Sequence, residues 1–190
     1  MPLTQLDPTA ALILIDLQRG IVDSVRPEVE SVLSNAAALA DAFRAHGRTV
    51  VLVNVAGGAP GRTDAQAVGG SQPPRPDGWT DLVPELGSDP HDILITKHRW
   101  GAFTGSDLDD QLRSRGVTQV VIGGVSTSIG VETTARSAYE LGYHVVLAVD
   151  AMLDRDPVAH EHSIARIFPR LGETSTADAI QAALEETASH

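Results

Sequence analysis

Apolar positions along this chain follow two rhythms. Ala11-Leu-Ile-Leu-Ile15 is apolar without interruption and ends at Asp16. A short run with no alternation predicts a strand buried on both faces, as in a parallel sheet. From Arg26 to His46, apolar residues recur at Val29, Val32, Leu33, Ala36, Leu39, Ala40 and Phe43. That is the 3.6-residue period of an amphipathic helix, with Pro27 in its first turn and Gly47 at its end. Thr49–Val55 is the next predicted strand, and others are predicted over Asp92–Thr96, Gln119–Ile122 and His144–Val149. Helices are predicted over Ser106–Arg115, Ile129–Leu141 and Pro157–Phe168. A last one is capped by Ser175-Thr-Ala-Asp178 and runs to about Thr187. Ser106-Asp107-Leu108-Asp109 opens its helix in the manner of a capping box, and Gly116 and Gly142 close theirs.

Strands alternating with helices specify an α/β sandwich with a mostly parallel sheet. The stretch 56–90 breaks the alternation. It holds seven of the 17 glycines and six of the 11 prolines. So long a segment reads as a lid over a site or as a loose insertion, and both readings stand.

Composition narrows the function. The 190 residues suit one domain with a real core. The formal charge of −11 argues against nucleic acid and anionic membranes as partners, since both call for basic patches. No apolar run approaches the roughly 20 residues of a membrane helix. The first basic residue is Arg19, so no charged signal-peptide start is seen, and a cytoplasmic protein is expected. The absence of cysteine excludes disulfides, thiolate metal sites and a thiol nucleophile.

In parallel α/β sheets the site lies outside the C-terminal ends of the strands, where the strand order switches. Three segments meet that condition: Asp16, Lys97–Phe103 and the Gly123–Gly130 turn. Asp16 ends an apolar run, and burial there would raise its pKa and suit it to acid–base work; a polar strand terminus capping a turn is the plain alternative. Lys97 could hold an anionic substrate or tune Asp16, although His98 and Arg99 serve equally by composition. Trp100 and Phe103 could line a pocket for a planar group or simply pack in the core. The turn Gly123-Gly-Val-Ser-Thr-Ser-Ile-Gly130 could aim backbone N–H groups at an anion or oxyanion, or its glycines could only permit a tight bend. It matches neither common nucleotide-loop pattern. Metal sites are not expected: His160 and His162 diverge on their helix, and these two with His46, His91 and His144 read as surface residues.

Taken in order, these segments resemble the isochorismatase-like hydrolases of the cysteine hydrolase superfamily. Gly124-Val-Ser-Thr-Ser-Ile-Gly-Val-Glu-Thr-Thr-Ala-Arg-Ser-Ala-Tyr-Glu-Leu-Gly-Tyr143 follows the family's G-V-x-T-x-x-x-V-x-x-T-A-x-x-A-x-x-x-G-Y pattern. Ile13-Leu-Ile-Asp-Leu-Gln18 and Lys97-His-Arg-Trp-Gly-Ala-Phe103 match as well. The resemblance implies a three-layer, Rossmann-like sandwich around a six-stranded sheet, in a homodimer or larger homo-oligomer, with no cofactor and no metal. It implies Asp16 and Lys97 as catalytic residues, and Gly130 where the nucleophilic cysteine would stand. It implies Gln18, Trp100, Phe103, Val125, Ser126, Thr127 and Ile129 around a small-molecule substrate, and a cis peptide at Val125–Ser126.

Glycine cannot form an acyl-enzyme, so the amidase route of the family's nicotinamidases and carbamoyl hydrolases is closed. A hydroxyl from Ser126, Thr127 or Ser128 would need a stronger base than a carboxylate. Isochorismatases also carry glycine here and cleave a vinyl ether by protonating its methylene carbon. Their substrate-holding tyrosine and glutamine are missing at Ser126 and near Ala56. The nicotinamidase metal cluster is missing from Asn54-Val-Ala-Gly-Gly58. The expected activity is therefore cysteine-free hydrolysis of a small molecule, an anionic one included. Asp16 would be the general acid or base and Lys97 its electrostatic partner. The alternative is a binding protein that has lost the chemistry.

Overall fold

The computed structural model describes residues 3–25, 28–59, 61–64 and 74–188. Six strands form one sheet: β1 (Ala11–Ile15), β2 (Val50–Val55), β3 (Ile93–Lys97), β4 (Gln119–Val125), β5 (His144–Leu153) and β6 (Glu173–Ser175). Their spatial order is β3-β2-β1-β4-β5-β6, and every neighbouring pair is parallel. Strand order therefore reverses between β1 and β4, which makes that gap the switch point. The helices are α1 (Arg19–Val22), α2 (Glu30–Ala45), α3 (Leu108–Ser114), α4 (Glu132–Glu140), α5 (Pro157–His162) and α6 (Ala177–Ala188).

The uninterrupted apolar runs are uninterrupted because both faces of the sheet are covered. Leu12, Leu14, Val50 and Leu52 pack with Leu33, Leu39 and Phe43 of α2 and Ile180 and Leu184 of α6. Ile13, Ile15, Val51, Val53 and Ile122 pack with Leu108 and Leu112 of α3 and Ala135 and Ala138 of α4. Each fully buried Leu or Ile contributes roughly 1.5–3 kcal/mol, so the sandwich rests on these two cores. No helix among the described residues is long and apolar enough to cross a membrane.

Several predicted bounds shift, each for a local reason. The helix predicted from Arg26 begins at Glu30; Arg26 and Pro27 lie outside the described residues. β3 is an edge strand open on one face, with Leu94 68 % exposed, rather than a fully buried strand, and Lys97 is its last residue. β4 continues through Gly123 and Gly124 to Val125. Gly124 has φ 123°, and a Cβ there would lie 2.1 Å from the Ile15 carbonyl oxygen. Its glycine thus serves the close approach of β4 to β1, not a bend. The Thr127–Val131 segment is a π-type turn before α4, and a second one, Ser163–Ile167, follows α5. Both predicted helices are shortened accordingly. β6 and α1 are too short to show a period, so the pattern predicts neither, although the resemblance implies a sixth strand.

Part of the glycine- and proline-rich stretch is stitched down. Arg19 N donates to Asp81 O, Gly20 N to Trp79 O and Val83 N to Leu17 O. The Trp79 ring lies so close to the Gly20 backbone that a Cβ would meet it at 2.0 Å. Residues 60 and 65–73 of that stretch lie outside the described residues.

Candidate active site

β1 ends in a turn at Asp16, whose φ of 54° puts it in the left-handed region that Asp tolerates better than most residues. Asp16 N donates to Val53 O, which holds the turn against β2. Lys97, at the end of β3, donates from Nζ to Asp16 Oδ2 at 2.7 Å and to Arg99 O at 3.3 Å. Both side chains are buried, Lys97 being 3 % and Asp16 5 % exposed. Asp16 Oδ1 is buried and takes no hydrogen bond among the described residues. Burial pushes the Asp16 carboxyl up to about 6, against the opposing charge and hydrogen bond of Lys97. Lys97 is also the chain's single lysine, a signal in the composition that points to this position.

β4 delivers the third element. The Val125–Ser126 peptide is cis. Ile129 N and Val131 N both donate to Ser126 O at 3.2 Å, which closes the turn and brings Gly130 beside Asp16 and Lys97. A Cβ at Gly130 would stand 3.2 Å from Asp16 Oδ2 and 2.9 Å from Ile15 Cγ2. The structure therefore brings Asp16, Lys97 and Gly130 together. It also leaves position 130 too tight for a side chain unless Ile15 moves.

The other predicted residues divide. Gln18 is fully buried. Its Oε1 accepts from Val55 N at 2.7 Å, and its Nε2 donates to Val55 O and Trp79 O. With both ends of its amide bonded, Gln18 clamps β2 to the Trp79 segment. Phe103 stacks on Tyr143 with centroids 5.9 Å apart and packs against the α3–α4 side of the core. It takes the core-packing alternative. Trp100 and Ile129 are 60 % and 40 % exposed, and Val125 is buried in β4. Ser126 is half-buried.

Two hydroxyls of the turn are engaged elsewhere. Thr127 Oγ1 lies 2.8 Å from His160 Nδ1, and Ser128 donates from both N and Oγ to Asp154 Oδ2. His160, read from sequence as a surface residue, is half-buried at this contact. Thr134, also unforeseen, is fully buried; its Oγ1 donates to Gly130 O at 2.7 Å and accepts from Ala102 N at 3.1 Å. It ties the Lys97–Phe103 segment to the turn. None of these three could be found by periodicity, because each partner lies on a different element.

A cleft of about 620 Å³ opens at the other end of the sheet, lined by Arg44, Arg48, His91 and Arg115 among others. Arg44 is already held there by both Asp92 oxygens. Two helix C-termini also face that end, which disfavours an anion. Among the described residues, no group of three His, Asp or Glu side chains is placed to hold a metal.

An all-parallel α/β/α sandwich with a buried Asp–Lys pair at the C-terminal ends of its strands defines a class of Rossmann-like α/β proteins. The chain belongs to the isochorismatase family: the isochorismatase domain matches residues 10–179. It is 44 % identical over 173 residues to the uncharacterized isochorismatase family protein YwoC of Bacillus subtilis, covering 88 % of this chain and 90 % of that one. An isochorismatase family protein from Burkholderia thailandensis is 44 % identical, with a TM-score of 0.87 over 97 % of this chain and 98 % of its own. N-carbamoylsarcosine amidase from Thermoplasma acidophilum is 25 % identical, with a TM-score of 0.75 over 90 % and 97 %. The chain is thus an isochorismatase-family hydrolase by fold and sequence.

Proposed function

We propose that this protein hydrolyses a small molecule without a covalent intermediate, with Asp16 as general acid and base and Lys97 as its electrostatic partner. One observation carries the reading: position 130, which has no side chain, borders an Asp16 carboxyl whose Oδ1 is buried and unpartnered. An orphaned buried carboxyl oxygen is costly unless it is protonated and meets a ligand. The Thr127 and Ser128 hydroxyls are engaged by His160 and Asp154, and the Ser126 hydroxyl would need a stronger base than a carboxylate, so water is the nucleophile of this reading.

On a vinyl ether the steps balance as follows. Protonated Asp16 gives its proton to the terminal methylene carbon, leaving an oxocarbenium ion. Water adds to the cationic carbon, and its released proton returns to the Asp16 carboxylate. The hemiketal so formed then collapses to a ketone and an alcohol. Lys97 stabilises the carboxylate while it is charged. A carboxylate on the substrate would be favoured by Lys97, His98 and Arg99 on one segment. The chain is read as a single domain, with residues 74–83 docked beside α1, working as a homodimer or larger homo-oligomer.

The test is turnover by purified protein of isochorismate, other vinyl ethers, and amides and ureides, N-carbamoylsarcosine included. The expected result is turnover that Asp16→Asn abolishes. No turnover, or a fully active Asp16→Asn, overturns the reading.

The burial of both Asp16 and Lys97 favours a second reading, a protein that binds a metabolite and leaves it intact. Saturable binding of a panel compound that is recovered unchanged distinguishes it.

A further inference from the structure

Two polar residues that hold the Ser126–Gly130 turn, and that the acid–base chemistry does not use, come from the segment after β5: Asp154 in the β5–α5 connection and His160 in α5. Asp154 follows β5 directly, and its carboxylate is organised as a receptor for the turn. Oδ2 accepts from Ser128 N at 2.8 Å and Ser128 Oγ at 2.7 Å, and Oδ1 accepts from Asp156 N at 3.1 Å. His160, in the first turn of α5, meets Thr127 Oγ1 at 2.8 Å. The Thr127 side chain is fully buried, so its hydroxyl has no water to fall back on if the imidazole is lost. On the opposite flank, Gly130 O is held by Thr134, which is itself bonded to the Lys97 segment through Ala102 N. The turn is therefore gripped from two sides, and Gly130 has no side chain of its own to hold it.

We propose that His160 and Asp154 are positioning residues of the hydrolytic site, which bond Thr127 and Ser128 and thereby hold the Ser126–Gly130 turn against Asp16. The proposal rests on the hydrolase reading above but concerns residues outside the reacting pair. Among the described residues, neither side chain hydrogen-bonds Asp16, Lys97 or Gly130. Their effect passes through two side chains and the backbone between them. A turn that is less well held places its groups less often in the reactive geometry, which lowers kcat more than it raises KM.

The experiment compares His160→Ala, His160→Asn, Thr127→Val, Thr127→Ser and Asp154→Ala in the full-length chain. The substrate is the panel compound whose turnover Asp16→Asn abolishes. Hydrogen–deuterium exchange over residues 125–131 is measured on the same proteins without substrate. His160→Ala and Thr127→Val are expected to lower kcat at least tenfold with KM within threefold. The pair of substitutions combined should cost no more than either alone. His160→Asn, which keeps a polar atom at the Nδ1 position, and Thr127→Ser should recover most of the loss. Asp154→Ala should accelerate exchange at Ser128 and its neighbours.

Unchanged kcat in His160→Ala, or losses that add in the double variant, overturns the proposal. So does a fall in Tm with no change in kcat, because that is a structural role alone. If no panel compound is turned over, the hydrolase reading fails separately and exchange decides. Faster exchange confined to 125–131 in His160→Ala, reversed in His160→Asn, supports the brace, and unchanged exchange sinks it.

Discussion

Lys97 Nζ donates to Asp16 Oδ2 at 2.7 Å, yet the Asp16 carboxyl titrates at about 6, well above an ordinary aspartate. Desolvation outweighs the ammonium beside it. The pair is consequently poised between an ion pair and a neutral acid facing a lysine close to neutral pH. A carboxylate on the surface, with the same lysine next to it, would be ionised throughout that range.

This sets a pH dependence with a definite sign. The unfolded carboxyl titrates near 3.8 and the folded one near 6, so between these values the folded state holds the extra proton. Stability from this group is then present at low pH and is lost as pH rises from about 4 to about 6, by about 3 kcal/mol. Denaturant unfolding of wild type and Asp16→Asn across that window checks it: the wild-type curve should fall relative to the variant. Where Asp16 acts as the acid, kcat/KM should be flat below about pH 6 and fall roughly tenfold per unit above it.

Replacing Lys97 by Met removes both influences that lower the Asp16 pKa. The inflection in kcat/KM should move upward, above 6. Breaking a buried pair costs roughly 3–5 kcal/mol where the remaining charge persists; here Asp16 can take up a proton, so the loss near neutral pH should fall below that range. An upward-shifted profile in a folded protein is the result to look for. A downward shift would contradict the electrostatic role.

Because the chain contains one lysine, its burial can be read chemically. Amine-directed acetylation of the native protein should spare Lys97 and modify it after unfolding in urea. Peptide mass spectrometry reports the two states, and rapid modification of the native protein would show that the site is open.

Gly130→Ala should destabilise the fold by roughly 1–3 kcal/mol through overpacking against Ile15, partly offset by the gain of alanine over glycine in a helical turn. Gly130→Cys should meet the same obstacle. Amidase activity is therefore expected only when Ile15→Ala is added. Thermal unfolding of the single variants and turnover of a carbamoyl substrate by the double variant test this. An unperturbed Tm in Gly130→Ala would mean that Ile15 yields freely.

Gln18→Leu leaves Val55 N, Val55 O and Trp79 O without their side-chain partner. A cost of roughly 1–3 kcal/mol is expected for the loss at Val55, whereas Trp79 O keeps its bond from Gly20 N. The effect should be local, with faster hydrogen exchange over residues 79–83 and a red-shifted Trp79 emission measured in a Trp100→Phe background.

Periodicity alone was enough for the layers of this protein. β1 and α2 announce themselves because a strand covered on both faces must be apolar throughout, and a helix lying on a sheet must be apolar every 3.6 residues. The segments ending those strands could be named as the site for the same reason, since parallel strands present their C-terminal ends together. Other features depend on partners that are remote in the chain. Asp16 and Lys97 are 81 residues apart, and whether burial or charge governs the carboxyl depends on atoms packed from several elements. Thr127 and His160 are 33 residues apart, so a histidine on a short helix gives no sign of the hydroxyl it meets. Phe103 rests on Tyr143, and position 130 is closed by Ile15. Local patterning records which face of an element is buried, whereas desolvation, steric closure and hydrogen-bond partnership arise only when distant segments are brought into contact.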